Sequence, residues 1–207
     1  MITEVKGWYI YKGTTTLQHE KIEEKIEKLF SLAKPSQVLE IGTSYGGLSL
    51  MIRDTLDRVG LQSSRFRTYD VMETNRHWLE EAIKSGEDID FRIKNVFNQP
   101  YSDLLEEHVE EIREYIQRDG VTIVMCDGGS KRNEVNILSP FLKSGDIIMA
   151  HDYSPNSEYF EAHINGKVWN WHEIEDAHIQ NVVDKCSLEP YLQEDFQEVV
   201  WVCKKKK

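Results

Sequence analysis

Three side chains able to share one chemical task stand at the ends of two apolar runs. Asp127 follows VTIVMC directly, and His151 and Asp152 follow DIIMA directly, 24 and 25 residues further on. Two carboxylates and an imidazole can hold a divalent ion, the nitrogen tilting preference from magnesium toward manganese, iron or zinc. The same imidazole titrates near neutrality and can instead take a proton from a hydroxyl with no metal involved. A purely structural strand edge is a third reading, and residue types leave all three open.

The second constellation is the loop GTSYGG, which follows the short apolar run VLEI. A dinucleotide fingerprint, G-x-G-x-x-G, needs its middle glycine so that backbone can approach a pyrophosphate. Gly42, Ser44 and Gly47 occupy those positions, so the middle glycine is missing. Asp70, the acid ending the next apolar run, lies 28 residues past Gly42, beyond the spacing of about 20 at which a ribose-binding acid belongs. Glu40 would also repel a pyrophosphate. A nicotinamide-dependent oxidoreductase is therefore disfavoured, and a ligand without phosphate fits better.

These residues must be held by alternating strands and helices. LQHEKIEEKIEKLFSLAK puts Ile22, Ile26, Leu29, Phe30 and Ala33 at helical spacing before Pro35. VLEI reads as a strand, and Leu50, Met51, Leu56 and Val59 mark a helix ended by Gly60. RFRTYDV and DFRIKNV read as strands, each followed by a helix, RHWLEEAIKSG and DLLEEHVEEIREYIQRDG. Asp103 with Glu106 resembles a capping box for the latter, whose apolar face is Leu105, Val109, Ile112 and Ile116. VTIVMC and DIIMA are almost wholly apolar, as strands covered on both faces must be. The alternation predicts an α/β fold with a doubly wound, mostly parallel sheet. A helix around HEIEDAHIQNVVDKC and two extended runs in LEPYLQEDFQEVVWVCK predict a C-terminal antiparallel hairpin on the sheet edge. No repeat or linker divides the 207 residues, which read as one domain.

At this point VLEIGTSYGGLSL resembles the first motif of class I S-adenosylmethionine-dependent methyltransferases, in the E-[LI]-G-x-x-x-G-x-S form of small-molecule O-methyltransferases. The resemblance covers residues 36–153. It implies a Rossmann-like methyltransferase fold of seven strands, with residues 1–35 as an acceptor or oligomerisation segment and 154–207 as a C-terminal helix and edge hairpin. It also implies S-adenosylmethionine as cofactor. Glu40 would lie near its amino-acid moiety, and Gly42, Thr43, Ser44 and Gly46 would let loop backbone approach. Asp70, followed by Val71, would accept hydrogen bonds from the ribose. Asn95, Val96 and Phe97 would flank the adenine, and Asp127 would close the cofactor site. The ligand carries a sulfonium and an ammonium but no phosphate, so neighbouring acids do no electrostatic harm.

GDIIMAHDY is similar to the G-G-x-I-x-x-D-D-Y phrase of divalent-cation-dependent sugar and macrolide O-methyltransferases. It is also similar to the E-D pair of the cephalosporin hydroxylase and rhamnosyl O-methyltransferase group, which GWYIYKG and KPSQVLEIGTSYGG resemble too. That likeness implies magnesium, manganese or a similar ion on Asp127, His151 and Asp152, with His151 standing where the family has an acid. A metal would chelate the acceptor and lower its hydroxyl pKa, and without one His151 would be the base. Lys131, four residues past Asp127, resembles a catalytic lysine of catechol-type enzymes at a spacing of three, or is a solvated lysine at a helix start. S-adenosylmethionine binding without methyl transfer is the rival from another functional class.

Composition bounds the partners. With 25 basic and 36 acidic residues the net charge is −11, which argues against gripping a phosphate backbone. No run approaches the roughly 18 apolar residues of a membrane span, and no secretory leader is read in MITEVKGWYIYKG, so a cytoplasmic address is expected. Cys126, Cys186 and Cys203 are odd in number and unpaired in spacing, as reduced, buried thiols would be. The expected partner is a small-molecule acceptor, walled by Tyr11, Lys12, Thr14, Thr15 and Gln18 and by Tyr153, Tyr159, His163, Trp169, Trp171 and His172. A homodimer through the N-terminal segment is implied by analogy only.

Overall fold

The computed structural model describes residues 2–5, 8–72 and 77–207. Gly7 of the GWYIYKG phrase and Arg76, with which one expected helix begins, lie outside them. The chain opens with a small antiparallel sheet of β1 (Thr3–Val5), β2 (Trp8–Tyr11) and β3 (Thr14–Thr15). Lys12 and Gly13 both have positive φ, 47° and 84°, the two-residue turn whose twist suits a tight hairpin. Helix α1 (Ile22–Ala33) follows, burying Ile22, Ile26, Leu29 and Phe30 on one face and ending at Lys34 in the left-handed conformation.

The main sheet contains β4 (Gln37–Ile41), β5 (Arg65–Asp70), β6 (Asp90–Ile93), β7 (Thr122–Cys126), β8 (Ile147–Ala150), β9 (Leu188–Pro190) and β10 (Val202–Lys206). Their order is β6-β5-β4-β7-β8-β10-β9. All neighbours pair in parallel except β10, which is antiparallel to both β8 and β9. Helices α2 (Gly47–Arg58), α3 (His77–Lys84), α4 (Glu106–Ile116), α5 (Lys131–Leu138) and α7 (Asp176–Lys185) cover it, and the short α6 (Ser157–Tyr159) and α8 (Gln193–Gln197) lie in connections.

The period of two along each strand sorts the apolar runs onto two faces. Val38, Ile123, Met125, Ile147 and Met149 pack with Ile26, Phe30, Met51 and Leu56 from α1 and α2. Leu39, Val124, Cys126, Ile148 and Ala150 pack with Ile112, Val135 and Ile179 from α4, α5 and α7. Runs such as TIVMC are apolar throughout because both faces are covered. From β4 the chain steps outward to β5 and β6, then returns across β4 to lay down β7 and β8. The resulting switch point between the carboxyl ends of β4 and β7 is where open α/β sheets place ligands.

Three local expectations are corrected. Residues 17–21 are not helical, and α1 begins at Ile22. The capping box of Asp103 and Glu106 does not form: Leu105 is the N-cap of α4, and Asp103 accepts from the neighbouring Leu104 N–H. Asn98 has taken over that turn, its Oδ1 accepting from the N–H groups of Ser102 and Asp103. The C-terminal hairpin exists as β9 and β10, but α8 interrupts it. Phe196, Val199, Val200 and Trp201 are buried in and after that helix, outside either strand.

Candidate active site

Parallel pairing continues one residue past the strands at the switch point. Asp127 N–H donates to the Ile41 carbonyl at 2.8 Å, and His151 N–H donates to the Cys126 carbonyl at 3.1 Å. The register therefore brings the first residue after each of three adjacent strands to one edge: Gly42, Asp127 and His151. Gly42 is required there. Its φ is +99°, and a Cβ would come within 2.1 Å of the Asp127 carbonyl oxygen.

Two adjoining clefts open at this edge. The first, about 200 Å³, is lined by Gly42, Ser44, Asp70, Val71, Val96, Phe97 and Asp127, together with Tyr101, Gly128 and Gly129. Asp70 holds its wall in shape, accepting from the N–H groups of Ser44 at 2.6 Å and Met72 at 2.8 Å. Phe97 stacks on Tyr101 at 5.3 Å between ring centroids. Buried Glu134 accepts from Gly128 and Ser130 N–H and so shapes the glycine turn opposite. Burial raises its carboxyl to about 7, against partial compensation by those N–H groups. Tyr101 and Glu134 carried no signal in the sequence, because a turn and a helix interior bring them to the cleft.

Four expected cofactor residues lie outside this lining. Glu40 is fully buried beneath the loop, where Ser49 Oγ donates to one carboxylate oxygen and the other has no partner among the described residues. Burial pushes its carboxyl up to about 8, although hydrogen bonds from Ser49 and Thr68 oppose this. Thr43 bonds Thr68 Oγ1 at 2.6 Å and faces the second cleft. Gly46 is the left-handed N-cap of α2, pressed against Leu79. Asn95 accepts from the Phe97 N–H and is exposed.

The second cleft, about 400 Å³, shares Gly42, Ser44 and Asp127 with the first and adds Thr15, Gln18, Lys131, His151, Asp152, Trp169 and Trp171. The other expected acceptor contacts go elsewhere. Tyr11 and Lys12 bond Asp54 on α2, Thr14 bonds the Tyr45 carbonyl, and Tyr153 bonds Asp176. Tyr159 pairs with His163, and His172 stacks on Phe160.

At the base of this cleft ligand atoms of Asp127, His151 and Asp152 lie within 4.8 Å of one another. His151 Nδ1 is 3.1 Å from Asp127 Oδ1 and 3.6 Å from Asp152 Oδ1. Its ring stacks on Trp201 at 5.0 Å, and its Nε2 is buried with no hydrogen-bond partner among the described residues. Burial lowers the imidazole pKa, but Asp127 and Asp152 outweigh it and the net direction is upward. Burial likewise raises Asp152, and His151 and Lys131 reverse this to a net lowering. Lys131 is not solvated. Its Nζ lies 2.9 Å from Asp152 Oδ2, 3.2 Å from Glu173 Oε2 and 3.8 Å from Asp127 Oδ1, with 12% of the side chain exposed. Burial works against its charge, and the three carboxylates more than restore it, so Lys131 is a cation.

The types of Asp127, His151 and Asp152 suit a divalent ion, but their hydrogen bonds do not. Asp127 Oδ2 accepts from Gln18 Nε2 at 2.6 Å, and Oδ1 faces His151. Asp152 Oδ1 accepts from Trp169 Nε1 at 2.8 Å, and Oδ2 takes the Lys131 ammonium. Every carboxylate oxygen already meets a donor, and the imidazole nitrogen facing them must carry a proton to bond either one. With the Lys131 ammonium 2.9 Å from Asp152 Oδ2 and 3.8 Å from Asp127 Oδ1, these residues as placed do not fit a metal ion. Gln18 and Glu173 complete the cluster from loops. Trp201 Nε1 donates to Gln18 Oε1 at 2.9 Å and fixes which end of that amide faces Asp127.

No protein-family model matches the sequence, and no curated protein does. Solved structures do match by fold. The structure named cmcI-D160 Mg-SAM aligns over 99% of this chain and 82% of its own, with TM-score 0.66 and 14% identity. An O-methyltransferase family protein from Burkholderia thailandensis aligns over 91% of this chain with TM-score 0.56 and 13% identity, and this chain spans 56% of its length. The trans-methyltransferase CalH, solved with SAH, aligns over 90% of this chain and 56% of its own, with TM-score 0.53 and 13% identity. The strand order, the antiparallel β10 and these alignments agree on the class I methyltransferase fold.

Proposed function

We propose that this chain is an S-adenosylmethionine-dependent methyltransferase that acts on a hydroxyl of a small acceptor. The observation that carries the reading is the meeting of two clefts at Gly42, Ser44 and Asp127, across the switch point of this fold. The first suits an adenosine: Asp70 offers carboxylate lone pairs for ribose hydroxyls, and Val96, Phe97 and Tyr101 offer apolar walls for a base. The neighbours named with SAM or SAH support the same ligand.

The cofactor, when bound, supplies an electrophilic methyl group on a sulfur that leaves readily. The chain's task is then to orient the acceptor oxygen and receive its proton. Thr15, Trp169 and Trp171 wall the acceptor cleft, whose aromatic rings suit a flat or sugar-like molecule. His151 lines this cleft and is the group to take the proton, its imidazole held beside Asp127 through Nδ1. The divalent cation suggested by resemblance enters no step, since the Lys131 ammonium already lies among the carboxylates that would hold it.

Calorimetric titration with S-adenosylhomocysteine tests the cofactor assignment. Micromolar binding, on the order of −8 kcal/mol, is expected, with Asp70→Ala weaker by roughly tenfold or more. No binding would overturn the reading. Binding without release of S-adenosylhomocysteine from labelled S-adenosylmethionine across a panel of hydroxylated acceptors would favour a non-catalytic binding module.

A further inference from the structure

We infer that the ammonium of Lys131 takes the place of a divalent cation in this site, so that methyl transfer proceeds without metal. The inference rests on the methyltransferase reading and concerns how its acceptor is activated. Lys131 is the first residue of α5. A cation there opposes the helix dipole, whose amino end is already positive, so stability of α5 does not explain it. Three carboxylates do. Nζ lies within 4 Å of Asp127, Asp152 and Glu173. Glu173 grips the residue at both ends, Oε1 accepting from the backbone N–H at 2.8 Å and Oε2 meeting Nζ at 3.2 Å. A side chain so held is aimed, and its ammonium lies among the oxygens a metal would need.

The chemistry follows from this placement. Lys131 lines the acceptor cleft beside His151 and Asp152. Asp152 and Glu173 are within hydrogen-bond reach of Nζ, and Asp127 at 3.8 Å is not, which leaves one N–H without a carboxylate partner. That N–H can donate to the acceptor oxygen. The O–H proton passes to the His151 imidazole, which lines the same cleft, an oxygen lone pair forms the new O–C bond, and the S–C bond breaks with its electron pair remaining on sulfur. The products are a methyl ether, S-adenosylhomocysteine and an imidazolium. The ammonium stabilises the developing oxyanion, as a Lewis acid would, and Glu173 is its positioning residue.

Manganese(II) titration, following free aqueous ion by electron paramagnetic resonance, tests this on the wild type, Lys131→Ala and Lys131→Met. Retained S-adenosylhomocysteine affinity, at a cleft Lys131 does not line, establishes that the variants fold. The wild type is expected to bind only near millimolar concentrations. The variants, freed of a positive charge a few ångströms from the ligands, are expected to bind about tenfold more tightly or better. Micromolar binding by the wild type would overturn the inference, and this arm stands even if neither variant folds. Folded variants that gain no affinity would overturn it too. Failure of S-adenosylhomocysteine to bind the wild type would instead remove the cofactor assignment, which the manganese measurement does not touch.

Discussion

Glu40 is a carboxylic acid that the fold holds out of water, and its protonation couples stability to pH. Its carboxyl rises from an ordinary 4.5 to about 8 through burial. Between those values the folded chain keeps a proton that the unfolded chain has released, so stability falls as pH rises through the window. Glu40→Gln removes that dependence. Thermal melts from pH 5 to pH 9 should show the two proteins nearly equal at the acid end and the variant more stable at the alkaline end, by a few kcal/mol. Parallel curves would show that Glu40 ionises freely. Glu134 shifts in the same direction, so the difference between wild type and variant isolates Glu40. Asp127, His151 and Asp152 were legible because each directly follows an apolar strand and topology puts strand ends together. Gln18 was legible only as an acceptor wall and Glu173 not at all, because loops deliver them and tertiary packing alone sets their approach to Asp127 and Lys131.

The strands were readable as elements, since a sheet covered on both faces leaves uninterrupted apolar runs. Ends and short pieces were less so. The run around Phe196, Val199 and Trp201 reads as extended, yet its buried residues recur at spacings that a short helix and turn serve equally well. The N-terminal sheet was also missed as an element, and it decides how α2 begins. A Cβ on Gly47 would meet the Thr15 carbonyl oxygen at 2.4 Å and Thr16 Cβ at 2.7 Å. Gly47→Ala should therefore push β3 from α2 and cost about 1–3 kcal/mol in denaturant melts. Gly60→Ala, where φ is positive but no atom lies within 4 Å, should cost about 1 kcal/mol from backbone strain alone. Equal losses would mean that the contact at Gly47 is readily relieved.

For the whole molecule, a ligand at the switch point meets residues of β4 and β5 and of the loops after β4, β5, β6 and β7, so its binding energy adds to that of folding. S-adenosylhomocysteine at a hundredfold excess over its dissociation constant should stabilise the chain by about 2.7 kcal/mol. That corresponds to a rise of roughly 5–10 °C in the melting midpoint. NAD at the same concentration should leave the midpoint unchanged, and a comparable rise would restore the dinucleotide reading.

The chain of bonds from Trp201 through Gln18 to Asp127 also has a meaning in time. It joins partners 183 and 109 residues apart in sequence, and contacts so distant form only after much of the chain has condensed. During refolding, helical signal from α1 and α2 can return early. Activity returns last, when Trp201 has reached its seat behind His151, so recovered turnover reports completion of the whole fold.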